Sequence, residues 1–251
     1  MRSFELGFGL GSINKVFSTR RRQSLIDCVI KNGITHFDTA PLYGSGVAMA
    51  ELSNFLTRNS AQEVTIAAKF GLSFERDQRA TSWSVYAAKR FLGRFLPKSN
   101  LIYTDYSLAG YARTLHHYLS LFPNQRIRYF FFHEMPELGP ASLLVDSLSL
   151  LKSEGLIENW GVAGEARNSA HIQQVIDRNG AIQTRDSVEG READFVLNLG
   201  CKPVFTYGYL REYIDQGSGL ADLMKFAESR TSGLLFSSSN KLRIEKFMEM
   251  F

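Results

Sequence analysis

Four side chains suited to acid–base chemistry follow short apolar segments between residues 38 and 133 of the sequence. Asp38 and Tyr43 share the stretch HFDTAPLYGSG, Lys69 ends VTIAAK, and His133 ends RYFFFH. A phenol has an ordinary pKa of about 10 and is a poor proton donor at neutral pH, but a nearby ammonium lowers that pKa. A carboxylate can hold the ammonium in place. Together the four residues could form a proton donor with its supporting groups.

Each of these residues also has an ordinary structural explanation when taken alone. A strand-end aspartate often caps a turn, a single lysine is usually solvated, a loop tyrosine usually packs, and a strand-end histidine is usually structural. A second interpretation therefore stays open, in which HFDTAPLYGSG is only a polar turn. The chemical interpretation requires that the four side chains meet, and this depends on the elements that carry them.

Short apolar segments alternate with segments of helical period along the whole chain. The predicted strands are 4–9, 34–38, 63–71, 126–134, 157–164, 181–186, 202–207 and 232–237. The predicted helices are 19–32, 46–57, 83–95, 107–122, 141–154, a helix from Asn168 to the Asn-Gly pair at 179–180, 218–229 and 240–250. Only a short helix fits between the sixth and seventh strands. Eight strands separated by helices favour parallel pairing and a (β/α)8 TIM barrel.

The reacting groups of such a barrel lie at the C-terminal ends of its strands. Asp38, Lys69 and His133 lie at the ends of predicted strands two, three and four, and Tyr43 lies in the loop after strand two. We therefore expect all four at one mouth, with His133 orienting a carbonyl oxygen. A tyrosine acid facing a carbonyl needs a hydride at the carbon, which no side chain supplies. A nicotinamide cofactor is implied.

A possible anion site lies near the C-terminal end of the sequence. The glycine-rich GFGLGS is not a GxGxxG fingerprint, because Asn14 stands where the last glycine should be. The strand-to-helix turn at 237–240 instead offers backbone N–H groups at a helix N-terminus, and Arg243 in the first turn could pair with a phosphate. The alternative is a serine-rich loop with an asparagine cap.

The composition is that of a globular protein, at 44% hydrophobic and 22% charged residues. The net charge of +4 is scattered except at Arg20–Arg22, which we interpret as the solvated start of a helix and not as a nucleic-acid site. Cys28 and Cys201 form no CxxC pair, so no zinc site or disulfide is predicted. We expect a cytoplasmic, monomeric or weakly associated protein without a membrane segment, with one domain over 1–251.

The segments that carry these residues resemble the aldo-keto reductase family, in particular short bacterial members, over nearly the whole chain. GITHFDTAPLYGSG is similar to the family's G-x-x-x-[FI]-D-T-A-x-x-Y-G, and LLKSEGLIENWGVAGE to LKxxGKIRxIGVSN. The resemblance implies a (β/α)8 barrel that binds NADPH in extended form and reduces an aldehyde or ketone, sugar-like ones included. It also implies a tetrad of Asp38, Tyr43, Lys69 and His133, with Tyr43 as general acid.

The resemblance further implies a set of cofactor contacts. One glutamine matches the residue that contacts the nicotinamide carboxamide, one tyrosine matches the aromatic that stacks on the ring, and the others lie where the 2′-phosphate is held. These residues are Gln183, Tyr207, Ser237, Ser238, Ser239 and Arg243. Ser237 stands where many members have lysine.

The sequence departs from the family pattern at several places. Ala163 and Gly164 stand where the family has Ser-Asn, which removes two side chains that hold the carboxamide. YGYLREY replaces YSPLGxG, so we expect shortened cofactor and C-terminal loops and an open substrate pocket. Substrate specificity would reside in 71–101, with Trp83 and Tyr86, and in 134–139.

These departures motivate an alternative function. A reductase-like barrel could bind the nucleotide yet act as a regulatory or scaffold subunit with little turnover. An unrelated barrel hydrolase or isomerase would need a metal site or a carboxylate pair, and the sequence offers neither.

Overall fold

The computed structural model describes residues 4–60, 62–73, 102–134, 142–165, 169–210 and 219–249. Eight strands in this part form a closed parallel barrel in which each strand pairs with its neighbours in the chain. They are β1 (Glu5–Gly9), β2 (His36–Asp38), β3 (Thr65–Phe70), β4 (Arg126–His133), β5 (Asn159–Ala163), β6 (Ala181–Arg185), β7 (Phe205–Tyr207) and β8 (Gly233–Phe236). The predicted (β/α)8 TIM barrel is confirmed.

Helices follow the strands as the apolar periodicity predicts. They are α1 (Thr19–Lys31), α2 (Val47–Arg58), α3 (Leu108–Leu121), α4 (Ser142–Ser153), α5 (Ser169–Asp177), α6 (Asp194–Leu197), α7 (Leu220–Arg230) and α8 (Lys241–Glu249). The four-residue α6 is the short helix expected between the sixth and seventh strands. Within the described ranges, no helix is both long and apolar enough to cross a membrane.

One feature of the structure was not predicted, and two predicted features fall on residues that the structure does not describe. Leu72–Ser73 and Tyr103–Thr104 pair as two short antiparallel strands, which the sequence did not indicate. The predicted helix at 83–95 and the cap at Asn168 lie outside the described residues.

Local signals account well for the helix ends. Ser107 Oγ accepts a hydrogen bond from the N–H of Gly110 at 3.0 Å, which caps α3 as predicted. Gly33 follows α1 with a φ of 83°, in the left-handed region where glycine is favoured.

The strand alternation directs chemistry-bearing side chains into the barrel. Ala67 and Phe131 belong to the cluster of buried residues that fills the interior. Because strand side chains alternate between faces, Lys69 points to the same side as Ala67, and His133 to the same side as Phe131. The sheet geometry therefore brings Lys69 and His133 to the upper end of the interior, at the C-terminal ends of the strands.

The basic run at the start of α1 is only partly solvated. Arg20 and Arg21 are exposed, as expected, but Arg22 is buried. Its Nε donates to Glu51 of α2 at 2.7 Å, and Nη1 donates to the carbonyl of Val16, also at 2.7 Å. The expectation of a wholly solvated run is wrong at Arg22, because that position faces α2, where a carboxylate satisfies its charge.

Candidate active site

The ends of three neighbouring strands bring the four predicted residues together. Lys69 Nζ donates to the two carboxylate oxygens of Asp38, at 2.6 Å to Oδ1 and 2.7 Å to Oδ2, and to Tyr43 Oη at 2.7 Å. Tyr43 Oη in turn donates to Asp38 Oδ2 at 3.2 Å. The ring of His133 stands edge-on to that of Tyr43, with 5.8 Å between centroids. A simple polar turn does not account for this placement.

Burial sets the protonation of the lysine and the tyrosine. It lowers the pKa of Lys69, and the carboxylate of Asp38 opposes that change by favouring the ammonium. Burial of the hydroxyl and the charge of Asp38 raise the pKa of Tyr43 well above its ordinary value. From the sequence, Lys69 is expected to lower this pKa. That expectation is wrong in the structure because burial of the hydroxyl, and after it the charge of Asp38, raise the pKa instead.

His133 is a neutral imidazole at physiological pH. Burial and the charge of Lys69 lower its pKa to about 3. Its Nδ1 is buried and has no hydrogen-bond partner among the described residues, while its backbone carbonyl accepts a bond from Tyr106 Oη at 2.6 Å. A neutral imidazole at this position can form a hydrogen bond with a carbonyl oxygen without adding a second positive charge to the site.

A buried tyrosine that sequence reasoning missed supports the ends of β2 and β3. Tyr118 of α3 accepts a bond from the backbone N–H of Lys69 and donates one to the carbonyl of Thr39, both at 3.2 Å. Its only signal in the sequence is a place on the apolar face of a helix, which predicts core packing and not a polar contact.

The turn between Tyr43 and α2 has an unusual backbone. Gly44, Ser45 and Gly46 have φ values of 64°, 54° and 83°. Three consecutive residues in the left-handed region reverse the chain directly into the helix, as the small residues of this segment predict. A β-carbon on Gly44 would lie 2.7 Å from Cβ of Asn14, so the turn has no room for a larger residue.

Gly44→Ala is expected to destabilise the protein by about 2–4 kcal/mol and to lower kcat, because both the positive φ and the close contact oppose a methyl group next to Tyr43. Gly33→Ala is the matched control. Gly33 has a φ of 83° with no atom within 4 Å of the added carbon, so only about 1 kcal/mol should be lost. Urea unfolding and steady-state kinetics measure both effects. If the two variants lose the same unfolding free energy, the close contact with Asn14 does not contribute to the effect.

Two of the predicted cofactor residues lie at the same mouth. His133, Ala163 and Gln183 are register partners on β4, β5 and β6. Gln183 Nε2 donates to Asp38 Oδ1 at 3.0 Å, whereas its Oε1 is buried and has no partner among the described residues. Tyr207 is half-buried at the end of β7. An acceptor and an aromatic ring are therefore available beside the tetrad.

The turn after β8 contains the predicted asparagine cap. Asn240 Oδ1 accepts from the N–H of Leu242 at 2.9 Å, and Ser238 Oγ accepts from the N–H of Asn240 at 3.0 Å. The cap alternative is therefore right about Asn240. It does not exclude an anion, because a helix N-terminus keeps further N–H groups that point outward.

The other residues of this turn face outward. Ser239 and Arg243 are exposed, and Ser237 Oγ lies 2.5 Å from Oγ of Ser12, in the 3-10 helix Leu10–Lys15 that follows β1. This bond links the segments that follow the first and last strands of the barrel. The phosphate-binding role of the turn stays a prediction.

A buried ionic cluster that the sequence did not indicate holds the ends of β6 and β7. Asp186 accepts bonds from Tyr209 Oη, from Arg230 Nε at 2.7 Å and from the N–H of Ala193 at 3.0 Å. Burial alone would raise the pKa of Asp186, but the bonds from Arg230 and Tyr209 lower it below its ordinary value. The N–H of Asp186 donates to the carbonyl of Tyr207 at 2.9 Å, so the cluster also positions Tyr207.

Some predicted features lie outside the described ranges. These are Trp83, Tyr86, 135–139 and the loop residues 211–218. Within those ranges no three His, Cys, Asp or Glu side chains are grouped to hold a metal ion. A cavity of about 340 Å³ lies at the opposite end of the barrel, where Thr65 and Arg126 begin their strands, and the residues lining it include none of the tetrad.

Comparison with known proteins agrees with the geometry. The model of the Aldo/keto reductase family matches residues 5–188. No curated protein matches the sequence. Among solved structures, the holo form of an aldo-keto reductase from Bacillus halodurans is 18% identical with a TM-score of 0.70, and the alignment covers 98% of this chain and 86% of that one.

Two further structures share the fold. A glycerol dehydrogenase from Gluconobacter oxydans is 16% identical with a TM-score of 0.70, covering 98% of this chain and 86% of that one. An aldo-keto reductase from Klebsiella pneumoniae in complex with NADPH is 14% identical with a TM-score of 0.59, covering 98% and 84%. These identities show the fold alone, while the family model spans most of the sequence. The chain belongs to the aldo/keto reductase family.

Proposed function

We propose that this protein is an NADPH-dependent oxidoreductase that reduces an aldehyde or a ketone to an alcohol, with Tyr43 as general acid. The observation that carries the proposal is the hydrogen-bonded group at the barrel mouth, in which Lys69 Nζ contacts both Asp38 and Tyr43. Family membership supports carbonyl reduction in general terms.

The proposed proton path uses only the described side chains. The raised pKa of Tyr43 keeps its hydroxyl protonated, so it can donate to a carbonyl oxygen as charge develops there. The bond from Lys69 Nζ to Tyr43 Oη then stabilises the phenolate that remains, and Asp38 holds Lys69 in position. Neutral His133 directs the carbonyl oxygen towards Tyr43.

The residues at the mouth fit a nicotinamide nucleotide. The buried Oε1 of Gln183, which has no partner among the described residues, can accept a bond from a carboxamide, and the half-buried Tyr207 offers a ring face. Arg243 and the N-terminus of α8 offer a site for a phosphate. When bound, the nucleotide supplies the hydride that the carbonyl carbon requires, while the proton comes from Tyr43. The NADPH complex of the Klebsiella pneumoniae structure supports this choice.

The substrate proposal is a small, sugar-like carbonyl compound. The glycerol dehydrogenase among the structural neighbours supports testing polyhydroxylated aldehydes and ketones first. The cytoplasmic location and the monomeric or weakly associated state stay predictions.

Titration with NADPH and with NADH, followed by oxidation assays with a carbonyl panel, tests the function. We expect NADPH fluorescence to shift on binding and NADPH to be consumed with at least one substrate. Arg243→Gln should weaken NADPH binding about tenfold and leave NADH binding within about twofold, because only NADPH carries the 2′-phosphate. Lys246→Gln, which removes a positive charge from the last turn of the same helix, is the control.

Two results would redirect the proposal. If neither NADPH nor NADH binds, the proposed function is wrong. Binding without turnover across the panel would favour the regulatory or scaffold alternative, which the Ala163–Gly164 departure motivates.

A further inference from the structure

The residue directly after His133 has a strained backbone. Glu134 has a φ of 53°, in the left-handed region that costs a non-glycine residue about 1 kcal/mol or more. Its N–H donates to the carbonyl of Ala163 at 2.8 Å, which ties the turn to the end of β5. This conformation directs the glutamate towards the end of β5.

The carboxylate of Glu134 occupies the space next to Gly164. Glu134 Oε2 accepts a bond from the N–H of Glu165 at 3.3 Å. A β-carbon on Gly164 would lie 2.6 Å from this oxygen, so any side chain there would displace the carboxylate. The glycine that replaces a family asparagine is therefore matched by a glutamate that uses the space.

The glycine that Glu134 approaches is also bonded to β6, the strand that carries Gln183. The N–H of Gly164 donates to the carbonyl of Gln183 at 3.0 Å, so Glu134 and Gln183 flank one glycine. Gln183 is only 2% exposed, and its Oε1 has no partner among the described residues. Glu134 follows β4 and Gln183 lies on β6, so the two acceptors stand on either side of β5. Two oxygen acceptors match the two N–H donors of a primary amide.

The charge of Glu134 also reaches across the mouth. Burial raises the pKa of Tyr207 at the end of β7, and Glu134 is the largest charge that adds to this shift. Burial likewise raises the pKa of Tyr106, with Glu134 again the charge that adds to it. Glu134 is exposed, and its carboxylate lies close enough to both Tyr106 and Tyr207 for its charge to act on them.

We propose that Glu134, in the space left by Gly164, acts with Gln183 as the acceptor pair for the nicotinamide carboxamide, and that its charge favours the oxidised nucleotide. The proposal rests on the function proposed above. It assigns the role of the two missing amide-holding side chains to a residue in the turn directly after β4. Because the oxidised ring is cationic and the reduced ring is neutral, a carboxylate beside it stabilises NADP+ over NADPH.

Fluorescence and calorimetric titrations of Glu134→Gln with NADP+ and NADPH test the proposal. The ratio of the NADP+ Kd to the NADPH Kd should rise about threefold to tenfold, because glutamine keeps an acceptor oxygen but loses the charge. Glu134→Asp keeps the charge and should keep most of the wild-type ratio. Glu158→Gln removes the same charge beside the opposite end of β5, where Glu158 is exposed, and should leave the ratio unchanged.

The outcomes separate this inference from the proposed function. A raised ratio in Glu134→Gln alone supports the inference. An unchanged ratio, with normal binding of both nucleotides, overturns it and leaves the reductase function standing. Failure of the wild-type protein to bind either nucleotide overturns both. Thermal melts of each variant confirm that the compared proteins are folded.

Discussion

Replacing Tyr43 by phenylalanine is expected to lower kcat for carbonyl reduction by about 10²- to 10⁴-fold, the usual contribution of a positioned general acid. The phenylalanine ring keeps the edge-on contact with His133 but has no proton to donate. Nucleotide binding should stay within about threefold of wild type, because the lost hydroxyl bonds Lys69 and Asp38 rather than the proposed cofactor residues. Stopped-flow single turnover and equilibrium titration separate the two quantities.

A second tyrosine provides the control for this variant. Tyr129 is buried in the barrel interior below the site, where it stacks on Phe131. Tyr129→Phe removes the same atom and should leave kcat within about threefold. Full activity in Tyr43→Phe would show that another group donates the proton.

Breaking the buried pair of Asp38 and Lys69 is expected to have the largest effect on stability. Both side chains are nearly inaccessible to solvent, so Asp38→Asn leaves an ammonium, and Lys69→Met a carboxylate, buried without its main countercharge. Each single variant should lose about 3–5 kcal/mol of unfolding free energy. The double variant, which removes both charges, should recover most of that loss but none of the activity. Urea unfolding and kcat measurements on all four proteins complete the cycle.

Arg22 and Glu51 form a comparable buried pair away from the tetrad, with an Nη2–Oε1 distance of 2.7 Å. Arg22→Met should destabilise the protein to a similar extent while kcat stays within about threefold. If the Asp38/Lys69 double variant kept wild-type kcat, the pair would be structural only and the proposed stabilisation of Tyr43 would be wrong.

Much of the barrel follows from local pattern. Apolar segments of strand length, each followed by a segment of helical period, predict parallel strands because right-handed crossovers leave few other arrangements. The short α6 follows from the few residues between the sixth and seventh strands. Asp38, Lys69 and His133 could be placed at one mouth from the sequence, since parallel strands in a barrel end on the same face.

The contacts within the mouth could not be predicted in the same way. Three residues that support the site or its strands make their contacts with residues distant in the chain: Tyr118, Asp186 and Glu134. Nothing in their local sequence distinguishes them from ordinary core, turn or surface residues. Which side chains meet across neighbouring strands depends on register and on loop conformation.

The sequence by itself determined the order of the elements, the closed barrel and the placement of Asp38, Tyr43, Lys69 and His133 at one mouth, because period and strand direction are local properties. Only the tertiary structure decided the electrostatics of that mouth. The raised pKa of Tyr43 depends on desolvation and on Asp38 together, and the approach of Glu134 to Gly164 depends on two loops meeting. The burial of Tyr43 and the contact of Glu134 with Gly164 both arise from packing between residues remote in the chain, which a linear pattern does not contain.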